Sequence, residues 1–262
     1  MRANLNSLTR SVIFKVGITD FSQKAALTVA SSVASASASA IACPPSCPGY
    51  QASSTAGWIS PTRPTRRPAQ ITAPTRPGTK RVCGCYILIL RDRVFFLADT
   101  TVNIDPDAET LAEIASLTAQ LARRFDIKPR VAMLSFSNFG SVEHPFARKV
   151  QRATDLVRSR APGLVVDGEM QLATAVDAAV RRDYFPFSLL QADANVLVFP
   201  SLEAGNMAMH VLQHLTDAVV VGPVLMGTRM PAHLIQYGSS VEEVVHLVAT
   251  GIAEGAGLRK AG

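Results

Sequence analysis

Apolar and polar positions along this chain fall into two regimes that meet near residue 80. From Ser31 to Thr79 the chain is first Ser/Ala-rich and then Pro/Thr/Arg-rich, with no apolar period of 2 or 3.6. Such composition buries too little apolar surface to order itself and reads as linker or disorder. From Arg81 onward short apolar runs alternate with amphipathic stretches. CYILIL (85–90) and VFFLAD (94–99), separated by RDR, read as a hairpin pair of strands. Residues 105–125 place apolar side chains at three- and four-residue spacing, which predicts a helix capped by Asp105 or Asp107, with Pro106 suited to its first turn.

The alternation continues to the end of the chain. RVAMLSF is a buried strand, 143–162 a basic amphipathic helix, and LVVDGEMQ a strand running into a loop. A helix follows over 174–185, then the strand ANVLVFPS, a helix over 203–216, the strand AVVVGPVLMG and a final helix over 239–261. Strands alternating with helices of this length predict an α/β fold, a parallel-rich sheet flanked by helices and preceded by a disordered N-terminal region. Ligands of such sheets sit in the loops that leave the carboxyl ends of strands. Four stretches qualify: 135–141, 167–171, 200–206 and 222–227. The first, between a strand and a helix start, has the composition of an anion seat built from free backbone N–H groups.

Charge narrows the function classes. Residues 1–80 carry nine Lys and Arg against the single acid Asp20, leaving 17 basic and 19 acidic residues for the rest. The net charge of +6 therefore belongs to the N-terminal third, and the patterned part has no basic stripe interleaved with aromatics. Nucleic acid is thus not an expected partner. No run of 18 apolar residues occurs, so no membrane-spanning helix is expected. The first 45 residues, Arg/Lys- and Ser-rich and nearly acid-free, have transit-peptide composition, end in an A-x-A-like stretch, and equally fit a sequence with no selected structure or a mis-assigned start. A cytoplasmic location is the expectation. Cys43, Cys47, Cys83 and Cys85 are too few and too clustered for a disulfide framework, and their C-x3-C and C-x-C spacings fit zinc poorly. His210 and His214 stand i,i+4 but lack the Glu of H-E-x-x-H, so they read as surface or packing residues and no metal is expected. Asp167 and Glu169 have the makings of an acid/base pair or of a device that orders their loop. Asp99 and Asn103 read as shaping the turn after their strand.

Six stretches in one order, FFLADTTVNIDPDAETLAEIA, PRVAMLSFSNFGS, VDGEMQ, DANVLVFPSLEAGN, VGPVLMG and PAHLIQYGSSVEEVV, together resemble the phosphate acetyltransferase family. The flavour is that of the phosphotransacetylase-like C-terminal domain of bacterial NADP-dependent malic enzymes. The resemblance runs from about residue 67 or 78 to the C-terminus and implies a cleft where coenzyme A meets acetyl phosphate, in a homo-oligomer. No permanently bound cofactor is implied; acetyl-CoA or CoA, and acetyl phosphate, are the ligands.

It also implies ligand-binding roles for Ser135, Ser137, Asn138, Gly140, Ser141, Gly205 and Asn206, and a phosphate-binding role for Arg67. The family's catalytic Ser-Arg pair and later Asp fall on Gln236, Tyr237 and Glu243, and the Lys of its S-F-S-T-K-G-S loop falls on Phe139. Tyr cannot replace a guanidinium fork. The expected domains are 1–77 without structure, 78–221 as the second α/β domain of the family, and 222–262 as the end of its first domain, docking poorly or through a dimer contact. Three functions follow from the resemblance: a fragment of a malic-enzyme phosphotransacetylase-like domain that binds acetyl-CoA or CoA in a regulatory way, an active phosphate acetyltransferase, or a truncated non-functional product.

Overall fold

The computed structural model describes residues 75–91, 93–235 and 241–259, the side chains of 242 and 253–259 excepted. Expectations for the four earliest features (Cys43, Cys47, Arg67 and the leader-like stretch) and for Gln236 and Tyr237 lie outside the described residues.

Strands β1 (Cys83–Leu90) and β2 (Arg93–Ala98) form the expected hairpin, with Leu90 opposite Arg93. Helix α1 (Ala108–Arg124) starts where Asp107 accepts the N–H of Thr110 at 2.8 Å, so Asp107, not Asp105, is its cap. Then come β3 (Arg130–Leu134), α2 (Pro145–Arg160) and β4 (Val165–Met170). The helix expected over 174–185 is two: α3 (Leu172–Val176) and α4 (Ala178–Tyr184). Asp177 breaks it, because its carboxylate accepts the N–H groups of Ala179 and Val180 and restarts the helix there. Strand β5 (Val196–Val198), α5 (Leu202–Leu215), β6 (Val219–Met226) and α6 (Val241–Arg259) complete the fold.

The six strands make one sheet in the order β4-β3-β5-β2-β1-β6. Strands β4, β3, β5 and β2 are mutually parallel, while β1 runs antiparallel to both β2 and β6. Five strand ends, at Met170, Leu134, Val198, Ala98 and Met226, therefore lie along one carboxyl edge. Two stretches expected as loops are strand: 167–170 belongs to β4, and 222–226 to β6. The boundary expected at 221/222 falls inside β6, which pairs with β1 from Val219 to Met226 and so makes the segment after 221 integral to the sheet.

Period-two alternation sorts the apolar side chains to two faces. Phe96, Val131, Met133, Val196 and Val198 meet Leu111, Ile114 and Leu121 of α1, Val150 and Val157 of α2, and Leu247 of α6. Leu88, Leu97, Ala132, Leu134 and Leu197 face Ala175, Leu190 and Phe199 on the other side, with Ala204, Ala208 and Leu212 of α5 packed against them. Each fully buried Leu, Ile or Phe here contributes roughly 1.5–3 kcal/mol.

His233 joins β6 to the final helix. Its Nδ1 accepts the N–H of Leu225 at 3.4 Å, and its ring lies against Gly251 of α6. Burial pushes the imidazole down to about 4. Its folded value lies below its unfolded one, so the unfolded chain takes up the proton first and His233's contribution to stability, full above pH 6.5, is lost as pH falls toward 4. The urea midpoint is expected to drop across that window by the equivalent of about 2 kcal/mol more in the unaltered chain than in His233→Gln. Parallel pH profiles for the two would assign the acid sensitivity elsewhere.

Candidate functional site

The loop after β2 is wound around one side chain. Asp99, 1% exposed, accepts at Oδ1 from the N–H groups of Gly84 (3.1 Å), Thr101 (2.8 Å) and Val102 (3.1 Å). At Oδ2 it accepts from Asn103 N (2.9 Å) and Asn103 Nδ2 (2.5 Å). Asp99 and Asn103 thus shape the turn, as expected from the sequence. Gly205 of α5 abuts this turn: a Cβ there would lie 2.3 Å from the carbonyl oxygen of Asp99. Asn206 Nδ2 donates to Thr100 O at 3.4 Å. Gly205 and Asn206 hold α5 to the loop, with Gly205 buried against its backbone.

The 135–141 loop follows β3 on the same edge, beside the end of β4. Its amides, expected as free donors, are all engaged within the protein from Ser137 to Val142. Ser137 N donates to Ser135 Oγ, Asn138 N to Ser141 Oγ, Phe139 N to the carbonyl of Glu169, and Ser141 N to Asn138 O. Gly140 N donates to Glu169 Oε1 at 2.6 Å, and Val142 N to Ser137 Oγ at 3.1 Å. Ser137 is fully buried, its hydroxyl 2.9 Å from Glu169 Oε1 and 3.2 Å from Ser141 Oγ. The inward turn of these donors corrects the reading of 135–141 as an open nest. The reason lies 30 residues on, in a carboxyl group buried behind the loop. Asn138 Oδ1 accepts from Gln171 N at 2.8 Å, while its Nδ2 and the hydroxyl proton of Ser135 have no bond within the protein among the described residues.

Phe139, where the resemblance puts a Lys, has φ 49°, and its ring packs against Phe187 and Phe185 at centroid distances of 4.9 and 5.3 Å. The substitution exchanges a cation for an apolar pin. Helix α2 begins with Pro145, which has no N–H, and the N–H of Phe146 is taken by His144 Nδ1 at 3.2 Å. Its N-terminus therefore offers few donors.

Asp167 and Glu169 lie in β4, both buried. Asp167 pairs with Arg158 and accepts from Ser188 Oγ and Leu189 N, each at 2.7 Å. That arrangement ties β4 to α2 and to the segment before β5. His210 and His214 are exposed and stack with centroids 6.0 Å apart. Cys83 and Cys85 are buried in the core, and burial pushes the Cys83 thiol well up. Glu243, at the position of the family Asp, is half-buried on α6. Burial first, and the Glu243 carboxylate second, push the Tyr86 hydroxyl up to about 12.

Two cations escaped the sequence reading. Lys149 of α2 reaches back to Asp105 (2.8 Å) and to the carbonyl of Pro200 (3.1 Å), joining two loops of the carboxyl edge. Arg76 lines a shallow concavity at the end of β6 with Gln120, Arg124, Gly227 and Thr228, and its buried Nε has no hydrogen-bond partner among the described residues. The signal for Arg76 in the sequence is the T-R-P-G stretch at 75–78.

A mixed sheet with five strands running one way, one antiparallel strand between β2 and β6, and a loop-lined carboxyl edge defines a phosphotransacetylase-type α/β domain. The comparisons with known proteins agree: the family described as phosphate acetyl/butaryl transferase matches residues 49–252, and the chain belongs to it. The chain is 44% identical over 180 residues to the NADP-dependent malic enzyme of Escherichia coli K12, covering 68% of this chain and 24% of that one. It is 41% identical over 192 residues to the phosphate acetyltransferase of Bacillus subtilis 168, covering 73% and 59%. Among solved structures, the EutD phosphotransacetylase from Staphylococcus aureus superposes with a TM-score of 0.67 at 38% identity, covering 69% of this chain and 56% of that one. A phosphotransacetylase from Streptococcus pyogenes gives 0.68 at 36%, covering 71% and 57%. The chain thus spans about a quarter of the malic enzyme and under two thirds of the transferases.

Proposed function

We propose that this protein moves an acetyl group between acetyl phosphate and coenzyme A at the carboxyl edge of its sheet. The family match across 49–252, with the sheet edge intact, carries the reading. In this reaction the CoA sulfur attacks the acetyl carbonyl carbon, a C–S bond forms, and the C–O bond to phosphate breaks with its electrons leaving on phosphate. The thiol proton passes to a base. Such chemistry needs cations for the phosphate groups and donors for the carbonyl oxygen. Arg76 and Arg124 share one concavity on that edge, and Ser135 and Asn138 keep donors for a neutral oxygen. Self-association through the family's dimer surface and a cytoplasmic location go with the same reading.

A second reading has its own support. Gln236 and Tyr237 stand where the family's Ser-Arg pair would be, which favours a domain that binds acetyl-CoA to regulate rather than to react. Incubating the full chain with acetyl phosphate and CoA, and following thioester formation, separates the two. Phosphate-releasing turnover is the expected result, with Arg76→Ala raising the apparent KM about tenfold or more. Saturable acetyl-CoA binding without turnover would move the assignment to regulation, and absence of both would end each.

A further inference from the structure

We propose that Glu169 is the positioning residue of this site: its Oε1 fills, from within the chain, the seat at the centre of the 137–142 loop. Three observations carry this. Glu169 is 1% exposed and sits in β4, a rigid element, not in the loop that it organises. Both the Ser137 hydroxyl (2.9 Å) and the Gly140 N–H (2.6 Å) converge on that single oxygen. The remaining loop bonds are a second ring around it, through Ser137 Oγ to Val142 and Ser141, and through Ser141 Oγ to Asn138.

Convergence of backbone N–H and hydroxyl donors on one oxygen is what an anion-binding loop offers a ligand oxygen. Here a protein oxygen occupies that position, so the loop is held in one shape before any ligand arrives and has no inward donors left for phosphate. What it presents outward is neutral, the Ser135 hydroxyl and the Asn138 amide. Within the acyl-transfer reading, on which the identity of the ligand rests, this wall faces a neutral part of the ligand, and the cations at the end of β6, four strands away, are left to the phosphate groups of CoA.

The other oxygen, Oε2, is buried and has no hydrogen-bond partner among the described residues. A residue kept only to fill space would not be a carboxyl group, since an apolar side chain of like size fills the same volume without an unsatisfied acceptor. Asp167, two residues earlier, shows the contrast: each of its oxygens is engaged, and an arginine faces it.

Amide hydrogen exchange of the full chain tests this without needing turnover, so its failure is distinct from failure of the acyl-transfer reading. Gly140 is exposed, yet its amide is expected to exchange slowly. Glu169→Met keeps the volume and removes the acceptor; exchange at Gly140 and Val142 should rise more than about tenfold, with β3 and α1 amides unchanged. Glu169→Gln keeps an acceptor oxygen and should stay within about threefold of the unaltered protein. Unchanged exchange in Glu169→Met, or equal loss in Glu169→Gln, overturns the proposal. Should the Met variant not fold, titrating the unaltered chain with inorganic phosphate decides: no saturable shift at the Gly140 and Val142 amide resonances is expected, and a saturable shift led by Gly140 overturns it.

Discussion

Asp99→Ala is expected to cost the domain about 4–6 kcal/mol, the size reserved for loss of a buried hydrogen-bond centre. Five donors converge on this carboxylate, four of them backbone N–H groups of the turn and of Gly84 in β1. Removing it leaves those donors unpaired in a region where Asp99 itself is 1% exposed. Each net bond to a charged acceptor is worth about 1.5–3 kcal/mol, and relaxation of the loop recovers part of the sum. Asp99→Asn is the sharper variant. Its carbonyl oxygen can serve the Oδ1 donors, but its amide then meets the N–H and Nδ2 of Asn103, donor against donor. It should retain roughly half the loss. At about 2–4 °C per kcal/mol for a domain of this size, the Ala variant should melt at least about 8 °C lower. A shift under about 3 °C would mean that the loop amides find water instead.

Gly205→Ala is the second large effect, and its sign runs against intuition. In an ordinary helix interior the change gains up to about 1 kcal/mol. Here the new methyl would sit 2.3 Å from the Asp99 carbonyl oxygen and 3.3 Å from Phe199 Cβ. The first obstacle is backbone, anchored by the five bonds just described, so it cannot turn aside like a flexible side chain. Either α5 lifts from the sheet or the turn distorts, at a cost of about 3–4 kcal/mol, near the upper end for overpacking. Urea unfolding of the two single variants and the double should show non-additivity, because one perturbation already loosens what the other strikes. A stabilised Gly205→Ala would place α5 farther from the turn than the geometry does.

The sheet and most of its helices were legible in the sequence because each depends on local pattern. The hairpin followed from two apolar runs three residues apart, and α1 from its spacing. Where distant residues decide, pattern failed. One miss was local: Asp177, inside TAVDAAVRRDYF, caps the N–H groups of Ala179 and Val180 and splits the stretch into two helices. The strand AVVVGPVLMG was legible, but not that β6 would carry on past Gly222 into the expected loop and domain: β1 pairs with it on both sides of a register shift at Gly222 and Pro223. The 135–141 loop was correctly placed but wrongly turned. Its composition is that of an anion nest, and only the arrival of Glu169 from the next strand shows that the donors face inward. Arg76 and Lys149 became visible once the fold had brought the ends of β6, β2 and β5 to one edge.

The antiparallel strand β1 has a consequence for how the chain is made. One of its edges pairs at once with β2, but the other waits for β6, whose residues lie about 130 positions downstream; at 5–20 residues per second a ribosome needs roughly 6–26 s to deliver them. Until then an apolar strand bearing Ile87 and Leu88 offers a bare row of N–H and C=O groups beside an already assembled hairpin. The nascent chain is therefore most prone to pairing with its neighbours on the same messenger during the synthesis of α1 through α5. Slowing elongation over that interval should lower the yield of folded protein more than slowing it after Met226.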